Sequence, residues 1–119
     1  MALDPYRYFR IEARDLLEQL GQGALDLEKG VPGAAAVARL LRLAHTLKGA
    51  ARVVKQREIA ECAHAIEGAL EPSRGSSDGV ARDRVDQVLS LLDEIGRRVA
   101  VLNQPAEPAA KRQTGNACL

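Results

Sequence analysis

The sequence predicts an all-α fold, an antiparallel up-down four-helix bundle followed by a disordered C-terminal tail. Four stretches of the chain repeat apolar residues at spacings of three and four, the period of an amphipathic helix. Aromatic residues make up only 3% of the chain and apolar residues 46%, a composition that favours closely packed helices over a sheet sandwich. Short connections join the four stretches, so consecutive helices are expected to run antiparallel.

The first predicted helix has a clear start and a clear end. Asp4 suits its N-cap position, and Pro5 suits the first helical position. Its apolar residues fall on one face, which is expected to point into the core: Phe9, Ala13, Leu16, Leu20, Ala24 and Leu27. Gly30, Pro32 and Gly33 are expected to end the helix, because glycine favours the turn after a helix and proline cannot continue one.

The second and third predicted helices cover about residues 34–54 and 56–70. The second is expected to bury one apolar stripe: Val37, Leu40, Leu41, Ala44, Leu47, Ala51 and Val54. The third is expected to bury a shorter stripe: Ile59, Ala63, Ile66 and Leu70. Because so little chain separates the two helices, they are expected to pack side by side.

A loop rich in Pro, Gly and Ser at residues 72–79 precedes a fourth predicted helix over about residues 78–102. The apolar positions of this helix keep the helical spacing throughout: Val85, Val88, Leu92, Ile95, Val99 and Leu102. The pattern stops at Asn103, and residues 103–119 have the composition of a flexible tail or interdomain linker. Residues 1–102 are therefore predicted to form one domain, belonging to a longer protein if the tail is a linker.

Charge, hydropathy and cysteine usage exclude several functional classes. Lys and Arg number 17 against 16 Asp and Glu, so the net charge of +1 gives no support for nucleic-acid binding. No apolar run approaches the roughly 20 residues of a membrane span, so direct membrane insertion is not expected. Cys62 lies in a predicted helix and Cys118 in the predicted tail, far apart in sequence, so the two cysteines do not indicate a disulfide framework. This cysteine usage fits a reducing compartment and a cytoplasmic location.

His45 follows the core residue Ala44, so it is rotated by about 100° from the core stripe and is expected to be exposed. Taken alone, a solvated surface histidine is its more common explanation. Its neighbours indicate more. Lys48 lies one turn further on, where its ammonium could neutralise a dianion on the ring. Gly49 leaves space for another molecule to approach, although tight helix packing would also explain this glycine.

The third helix supplies a second pair of polar residues, His64 and Glu67, which share one stripe. In an antiparallel neighbour this stripe can face His45. A carboxylate that accepts a hydrogen bond from Nδ1–H would hold the imidazole in one tautomer and leave Nε2 unprotonated and nucleophilic. Without His45, an ordinary exposed pair would explain these two residues equally well.

Basic residues are concentrated in the second helix and the turn after it. Between residues 33 and 57 there is no acidic residue, but there are six basic ones: Arg39, Arg42, Lys48, Arg52, Lys55 and Arg57. Such a field would steer phosphate donors and acidic partners towards His45, although a solvated basic face is the plainer explanation. The residues predicted to contact a partner border His45: Leu41, Arg42, Gly49 and Arg52.

Residues 45–51, with the sequence HTLKGAA, resemble the phosphorylation motif of histidine phosphotransfer domains. That motif reads His, any residue, Leu or Ile, Lys, Gly and then small residues. With His64 and Glu67 added, the chain resembles the N-terminal phosphotransfer domains of CheA-type chemotaxis histidine kinases. The resemblance implies that His45 accepts the phosphoryl group and that the Glu67 carboxylate orients the His45 ring. Lys48 and His64 would be supporting members of the same hydrogen-bonded network. It is strongest between residues 40 and 70.

The resemblance also implies a relay between two partners. An ATP-binding histidine kinase domain, in the same chain or another, would hold ATP and magnesium and phosphorylate His45. A response-regulator receiver domain would then take the phosphoryl group onto an aspartate. This chain has no P-loop and no G-x-G-x-x-G motif, so no cofactor and no catalytic power of its own are expected. It would be the phosphoacceptor domain of a histidine protein kinase.

Several alternatives remain open at this point. The domain could be a stand-alone module or part of a hybrid kinase. It could be a non-catalytic helical adaptor. It could also be a metal-binding bundle, in which His45, His64 and Glu67 hold zinc. Lys48 on the same stripe as His45 would be poorly placed beside that cation. Finally, residues 52–56 read RVVKQ where the family often has Gly and Phe, which leaves the turn after the second helix in doubt.

Overall fold

A computed structural model describes residues 6–30, 34–75 and 79–102. In this part of the chain there are no strands, and one short 3-10 helix, Glu71–Ser73, follows the third α-helix. The four α-helices have these bounds: α1 Arg7–Glu28, α2 Ala34–Val53, α3 Arg57–Leu70 and α4 Arg82–Leu102. Each helix packs against its two neighbours in a closed ring, with α1 against α4 completing it. The predicted all-α four-helix bundle is confirmed.

The core consists of the apolar stripes that the sequence predicts. Every predicted core position of α1 is buried, and so are those of α2, α3 and α4 except at two helix ends, where Val54 and Leu102 are half-buried. The structure adds Ala60 and Ala69 of α3 to the core. These were missed because α3 contacts both α2 and α4, so its buried face is wider than one stripe. None of the described helices has the length and apolar content needed to cross a membrane.

Two helices begin later than the sequence predicts. Tyr6 is the residue that precedes α1, without a side-chain cap, while Asp4 and Pro5 lie outside the described residues. α4 begins at Arg82 rather than near residue 78, because Gly79 has a φ of 85° that a right-handed helix does not accommodate. The predicted tail, residues 103–119, also lies outside the described part of the chain.

The ends of α1 and α2 are both formed by a residue in the left-handed region. Gly30 has a φ of 83° and ends α1 as predicted. After α2 this position is occupied by Lys55, with a φ of 62°. The Lys55 amide donates to the Arg52 carbonyl and the Gln56 amide to the Ala51 carbonyl, the hydrogen-bond pair of a Schellman motif. A lysine therefore makes the turn for which glycine is usual, which is why the sequence left this turn in doubt.

Candidate functional site

His45 projects from the middle of α2, on the seam that this helix forms with α3. Its neighbour Ala44 and the nearby Leu47 are fully buried and anchor this part of the helix in the core. The histidine is rotated out of that stripe, and 72% of its side chain is exposed. The predicted exposure of the ring is therefore confirmed.

Glu67 on α3 contacts this ring. Ile66 is fully buried and fixes the helix, while the Glu67 side chain lies along the seam with only 17% of its surface exposed. Its Oε2 atom is 3.1 Å from Nδ1 of His45. The contact joins residues 22 positions apart in sequence, so it depends on the packing of α2 against α3.

Lys48 reaches the same carboxylate from α2, one turn after His45. Its Nζ atom is 2.7 Å from Oε1 of Glu67, and its side chain is 13% exposed. Glu67 therefore uses one oxygen for each of the two α2 side chains. The ammonium is paired with this carboxylate in the structure, and its neutralisation of a phosphoryl group on the ring stays a prediction.

The carboxylate of Glu67 is held in its ionised form. Burial raises the pKa of this carboxyl group, but the hydrogen bonds and positive charges of Lys48 and His45 outweigh burial and lower the pKa below its usual value. An ionised carboxylate only accepts hydrogen bonds, so Nδ1 of His45 must carry the proton in this contact. In the neutral ring Nε2 then has a lone pair, and within the described residues no side chain hydrogen-bonds to it.

His64 does not join this group. It is exposed, and the described residues include no hydrogen bond from it to His45, Lys48 or Glu67. It lines a separate groove beside the α2–α3 turn, together with Arg52. The structure thus brings together three of the four residues that the sequence predicts for the site.

A shallow groove of about 520 Å³ lies next to the His45 ring. Its lining includes Arg42 at the exposed rim and Leu41, which is only 4% exposed. Leu41 lines the groove with a side chain that packs mostly into the core, and its contact with a partner stays a prediction. Arg74 also lines the groove and was missed, since it follows α3 in a predicted loop with no periodicity to place it. Its guanidinium pairs with Glu71 at 2.8 Å.

Gly49 has no packing role in the bundle. A Cβ atom built there would meet no heavy atom within 4 Å, so tight helix packing does not explain this glycine. Gly23 shows the contrast, because a Cβ atom on it would lie 2.5 Å from Cδ2 of Leu40. The surface beside His45 is therefore open at Gly49, as access by a second molecule would require.

The donor atoms at the site do not form a metal centre. Over the described residues no group of three or more His, Cys, Asp and Glu side chains could hold a metal ion. Both oxygens of Glu67 are engaged, one of them by a cation. The geometry instead orients the His45 imidazole through its Nδ1 contact with Glu67 and leaves Nε2 of the same ring available. This arrangement is suited to nucleophilic attack.

Comparison with known proteins finds one family model, described as the Hpt domain, that matches residues 6–98. The chain is 37% identical over 87 residues to chemotaxis protein CheA of Treponema pallidum, covering 73% of this chain and 11% of that protein. It is 31% identical over 85 residues to the sensor histidine kinase CheAY of Helicobacter pylori, covering 71% and 11% respectively. The chain thus spans about a tenth of the length of the curated relatives it matches.

A solved structure gives the same answer for the fold. The CheA phosphotransferase domain from Thermotoga maritima is 27% identical, with a TM-score of 0.77, and the match covers 87% of this chain and 100% of that one. The family match extends from the start of α1 into the last turns of α4 and includes the His45 site. This chain therefore belongs to the Hpt domain family and is homologous to the CheA phosphotransferase domain.

Proposed function

We propose that this domain carries a phosphoryl group on Nε2 of His45 between two partner domains in chemotaxis-type signalling. An ATP-dependent histidine kinase domain, holding ATP and magnesium, would supply the group. A response-regulator receiver domain would accept it on an aspartate. The observation that carries the proposal is the Nδ1–Glu67 contact of 3.1 Å on a ring that is 72% exposed, because it orients the ring and leaves Nε2 accessible.

In the first step, the Nε2 lone pair attacks the γ-phosphorus of ATP. A nitrogen–phosphorus bond forms at Nε2, the bond from the γ-phosphorus to the bridging oxygen breaks, and ADP leaves. The ring becomes cationic because Nδ1 keeps its proton. Glu67 is ionised and accepts the hydrogen bond from that proton, so it stabilises the positive charge that develops on the ring.

In the second step, a carboxylate oxygen of the receiver aspartate attacks the same phosphorus. The nitrogen–phosphorus bond breaks, its electron pair returns to Nε2, and an acyl phosphate forms on the aspartate. The ring is neutral again with its proton still on Nδ1, so no proton has to be exchanged with solvent. Lys48 is a positioning residue in both steps, because it holds the Glu67 carboxylate at 2.7 Å through the oxygen that His45 does not use.

The surface around the ring is suited to a protein partner. Gly49 leaves the approach along α2 open, and exposed Arg42 and Arg52 provide positive charge on either side of His45. We propose residues 1–102 as the phosphotransfer domain and residues 103–119 as a tail or linker, with a cytoplasmic location. A zinc site is the weaker candidate, since His64 does not face the other two ligands and Lys48 occupies Glu67.

The test is chemical phosphorylation of the isolated domain by phosphoramidate. In this reaction the donor's nitrogen–phosphorus bond breaks, ammonia leaves, and a new bond forms to the acceptor nitrogen. We expect one acid-labile, base-stable phosphate per chain, detected by intact-mass spectrometry and phosphorus NMR. His45→Gln should abolish it, whereas His64→Gln should keep it. Phosphate that persists in His45→Gln would contradict the proposal, and no uptake by the wild type would favour a helical adaptor.

The same variants then test the relay. With ATP, magnesium and a CheA-type kinase domain, the wild type and His64→Gln should be phosphorylated and should pass the label to a receiver domain. His45→Gln should do neither. Zinc binding by equilibrium dialysis provides the opposing measurement, because one tightly bound zinc per chain that His45→Gln abolishes would favour the metal site.

A further inference from the structure

A second groove of about 530 Å³ lies beside the α2–α3 turn. Its lining has three cationic residues, one acidic residue, one histidine and one alanine: Arg52, Lys55, Arg57, Glu61, His64 and Ala60. The three cations come from three segments, the end of α2, the turn and the start of α3. Positive charge is therefore spread along this groove.

The cations of this groove are unpaired within residues 6–30, 34–75 and 79–102. Neither Arg52, Lys55 nor Arg57 has a carboxylate within 4.0 Å there. Other described arginines do form ion pairs: Arg74, Arg82, Arg97 and Arg98. Within the described residues the three groove cations therefore make no ion pair that stabilises the fold, as is also true of the exposed Arg14 and Arg42, and they remain available to a ligand.

Lys55 occupies a backbone position that disfavours lysine. Its φ of 62° places it in the left-handed region, where a Cβ atom is strained and glycine is not. Nothing in the Schellman hydrogen bonds requires a side chain, because both are made by main-chain atoms. A lysine at this position therefore lowers the stability of the fold relative to glycine. What the lysine adds, and glycine would not, is an ammonium group at the groove.

The groove lies on the same surface as His45. Arg52 is seven residues after His45, which places it on the same face of α2 and about 10 Å further along the helix. Gly49 lies between them with open space above it. On α3, His64 is one turn from Glu67 in the same direction. A protein that covers His45 and Gly49 would therefore reach the groove, whereas a phosphoryl group on Nε2 would not.

We propose that this groove, lined by Arg52, Lys55 and Arg57, is a docking site for carboxylate side chains on the protein domain that exchanges phosphoryl groups with His45. The proposal rests on the function proposed above and adds a second contact to it. Cations spread over three segments suit several carboxylates on a protein surface better than one compact phosphate. Glu61 at the same groove repels any anion, but it repels a compact polyphosphate, which concentrates negative charge, more strongly than carboxylates spread along the groove.

The decisive variant is Lys55→Gly, because the proposal predicts opposite effects on stability and on binding. Removing the left-handed strain should raise the thermal unfolding midpoint by about 2–6 °C. Binding of an acidic peptide of alternating Asp and Glu should weaken by about two- to fivefold at low salt. Nitrogen–proton NMR titrations on the wild type should show the peptide shifting the amides of residues 52–64.

Arg57→Gln keeps the turn intact and should weaken the peptide by a similar factor, which covers the case of a Lys55→Gly chain that folds poorly. Arg14→Gln is the matched control, since Arg14 is an exposed arginine on α1 that lines a different groove. It should leave peptide binding unchanged. A peptide of Asn and Gln with the same length should not bind.

Three results would overturn the proposal. Peptide affinity could be the same in Lys55→Gly and Arg57→Gln as in the wild type. The neutral peptide could bind equally well, or tripolyphosphate could bind the groove as tightly as the acidic peptide. Phosphoramidate labelling of His45 needs no docking partner and should proceed normally in both variants. If the wild type were not labelled by phosphoramidate, that result would instead contradict the proposed phosphotransfer function.

Discussion

Glu67 is the residue on which the geometry of the site depends most. Its two oxygens contact two side chains of α2, at 3.1 Å for Nδ1 of His45 and 2.7 Å for Nζ of Lys48. It therefore selects the tautomer of the ring and also compensates a lysine whose side chain is 13% exposed. The sequence predicted this carboxylate from the spacing of His64 and Glu67. It could not separate the two, because the rotation of α3 decides which of them faces α2.

Substitution of Glu67 should slow phosphorylation of His45 without unfolding the domain. Glu67→Ala removes the acceptor for Nδ1–H, so the neutral ring should populate both tautomers and react on the order of tenfold more slowly. Glu67→Gln keeps an acceptor oxygen but loses the charge that stabilises the developing cation, so its rate should be intermediate. Nitrogen-15 shifts of the His45 ring and phosphoramidate kinetics measure the two effects. A Glu67→Ala chain with wild-type tautomers and wild-type rate would remove Glu67 from the mechanism.

The same carboxylate should contribute to stability in a pH-dependent way. Its pKa in the folded chain is lowered, net of burial, by Lys48 and His45. A lowered folded pKa gives stability that is present above the unfolded value, about 4.3, and is lost as the pH falls through the folded value. The unfolding free energy of the wild type should therefore exceed that of Glu67→Gln most above about pH 5 and approach it below about pH 4.

Urea unfolding at a series of pH values gives this difference directly. Glu12→Gln is a suitable control, because Glu12 is an exposed residue of α1 without an ion pair in the described part of the chain. Its difference from the wild type should stay flat across the same range. A flat difference for Glu67→Gln would mean that Lys48 and His45 do not hold the carboxylate ionised.

At the scale of the helices, the apolar stripes and most helix ends were predictable, whereas the starts of α1 and α4 and the turn after α2 were not. Burial of Leu20, Leu47 or Ile66 follows from a spacing that any helix imposes, and each is fully buried. Those exceptions depend on single backbone conformations that composition does not reveal. Gly30 makes its turn with a residue that favours positive φ, whereas Lys55 makes the same turn with one that does not. Tertiary contacts of α2 and α3 outweigh local preference there.

Gly49 gives a prediction for α2 as an element. Because a Cβ atom meets nothing there, Gly49→Ala should stabilise the domain by about 1 kcal/mol through helix propensity. Gly49→Gln should also be stabilising, yet it should slow transfer from a kinase domain because the longer side chain crowds the approach to His45. Thermal unfolding and kinase-dependent labelling measure the two effects separately.

Two other glycines are the controls for this experiment. Gly21 of α1 also has open space at its Cβ position, so Gly21→Ala should stabilise to a similar extent and leave transfer unchanged. Gly23→Ala should destabilise, since its Cβ atom would overlap the Leu40 side chain. If Gly49→Gln transferred at the wild-type rate, the open surface beside His45 would have no role in partner access.

For the molecule as a whole, the distribution of charge matters more than its sum. The net charge is +1, but the six basic residues between residues 33 and 57 have no acidic residue among them, so the rest of the chain is net negative. The two grooves on the α2–α3 seam are flanked by Arg42 and Arg74 at one and by Arg52, Lys55 and Arg57 at the other. Since Glu71 pairs with Arg74, the unpaired positive charge lies at Arg42 on one side of His45 and at the second groove on the other, although the net charge of the chain is only +1.

This asymmetry predicts that transfer between domains depends on ionic strength. The rate with a kinase domain below saturation should fall as salt rises from about 0.01 to 0.15 M, over which the Debye length shrinks from about 30 to about 8 Å. The double variant Arg42→Gln with Arg52→Gln should be slower at low salt and should show a weaker salt dependence, because two of the steering charges are gone. The expected loss of transfer rate at low salt is about two- to tenfold, as for charges at the rim of an interface that act on association.

Arg14→Gln lowers the net charge on α1, away from the seam, and should keep the wild-type salt dependence. Equal slopes in all three chains would show that the positive seam does not guide the partner, and that the rate is governed by contacts at His45 itself.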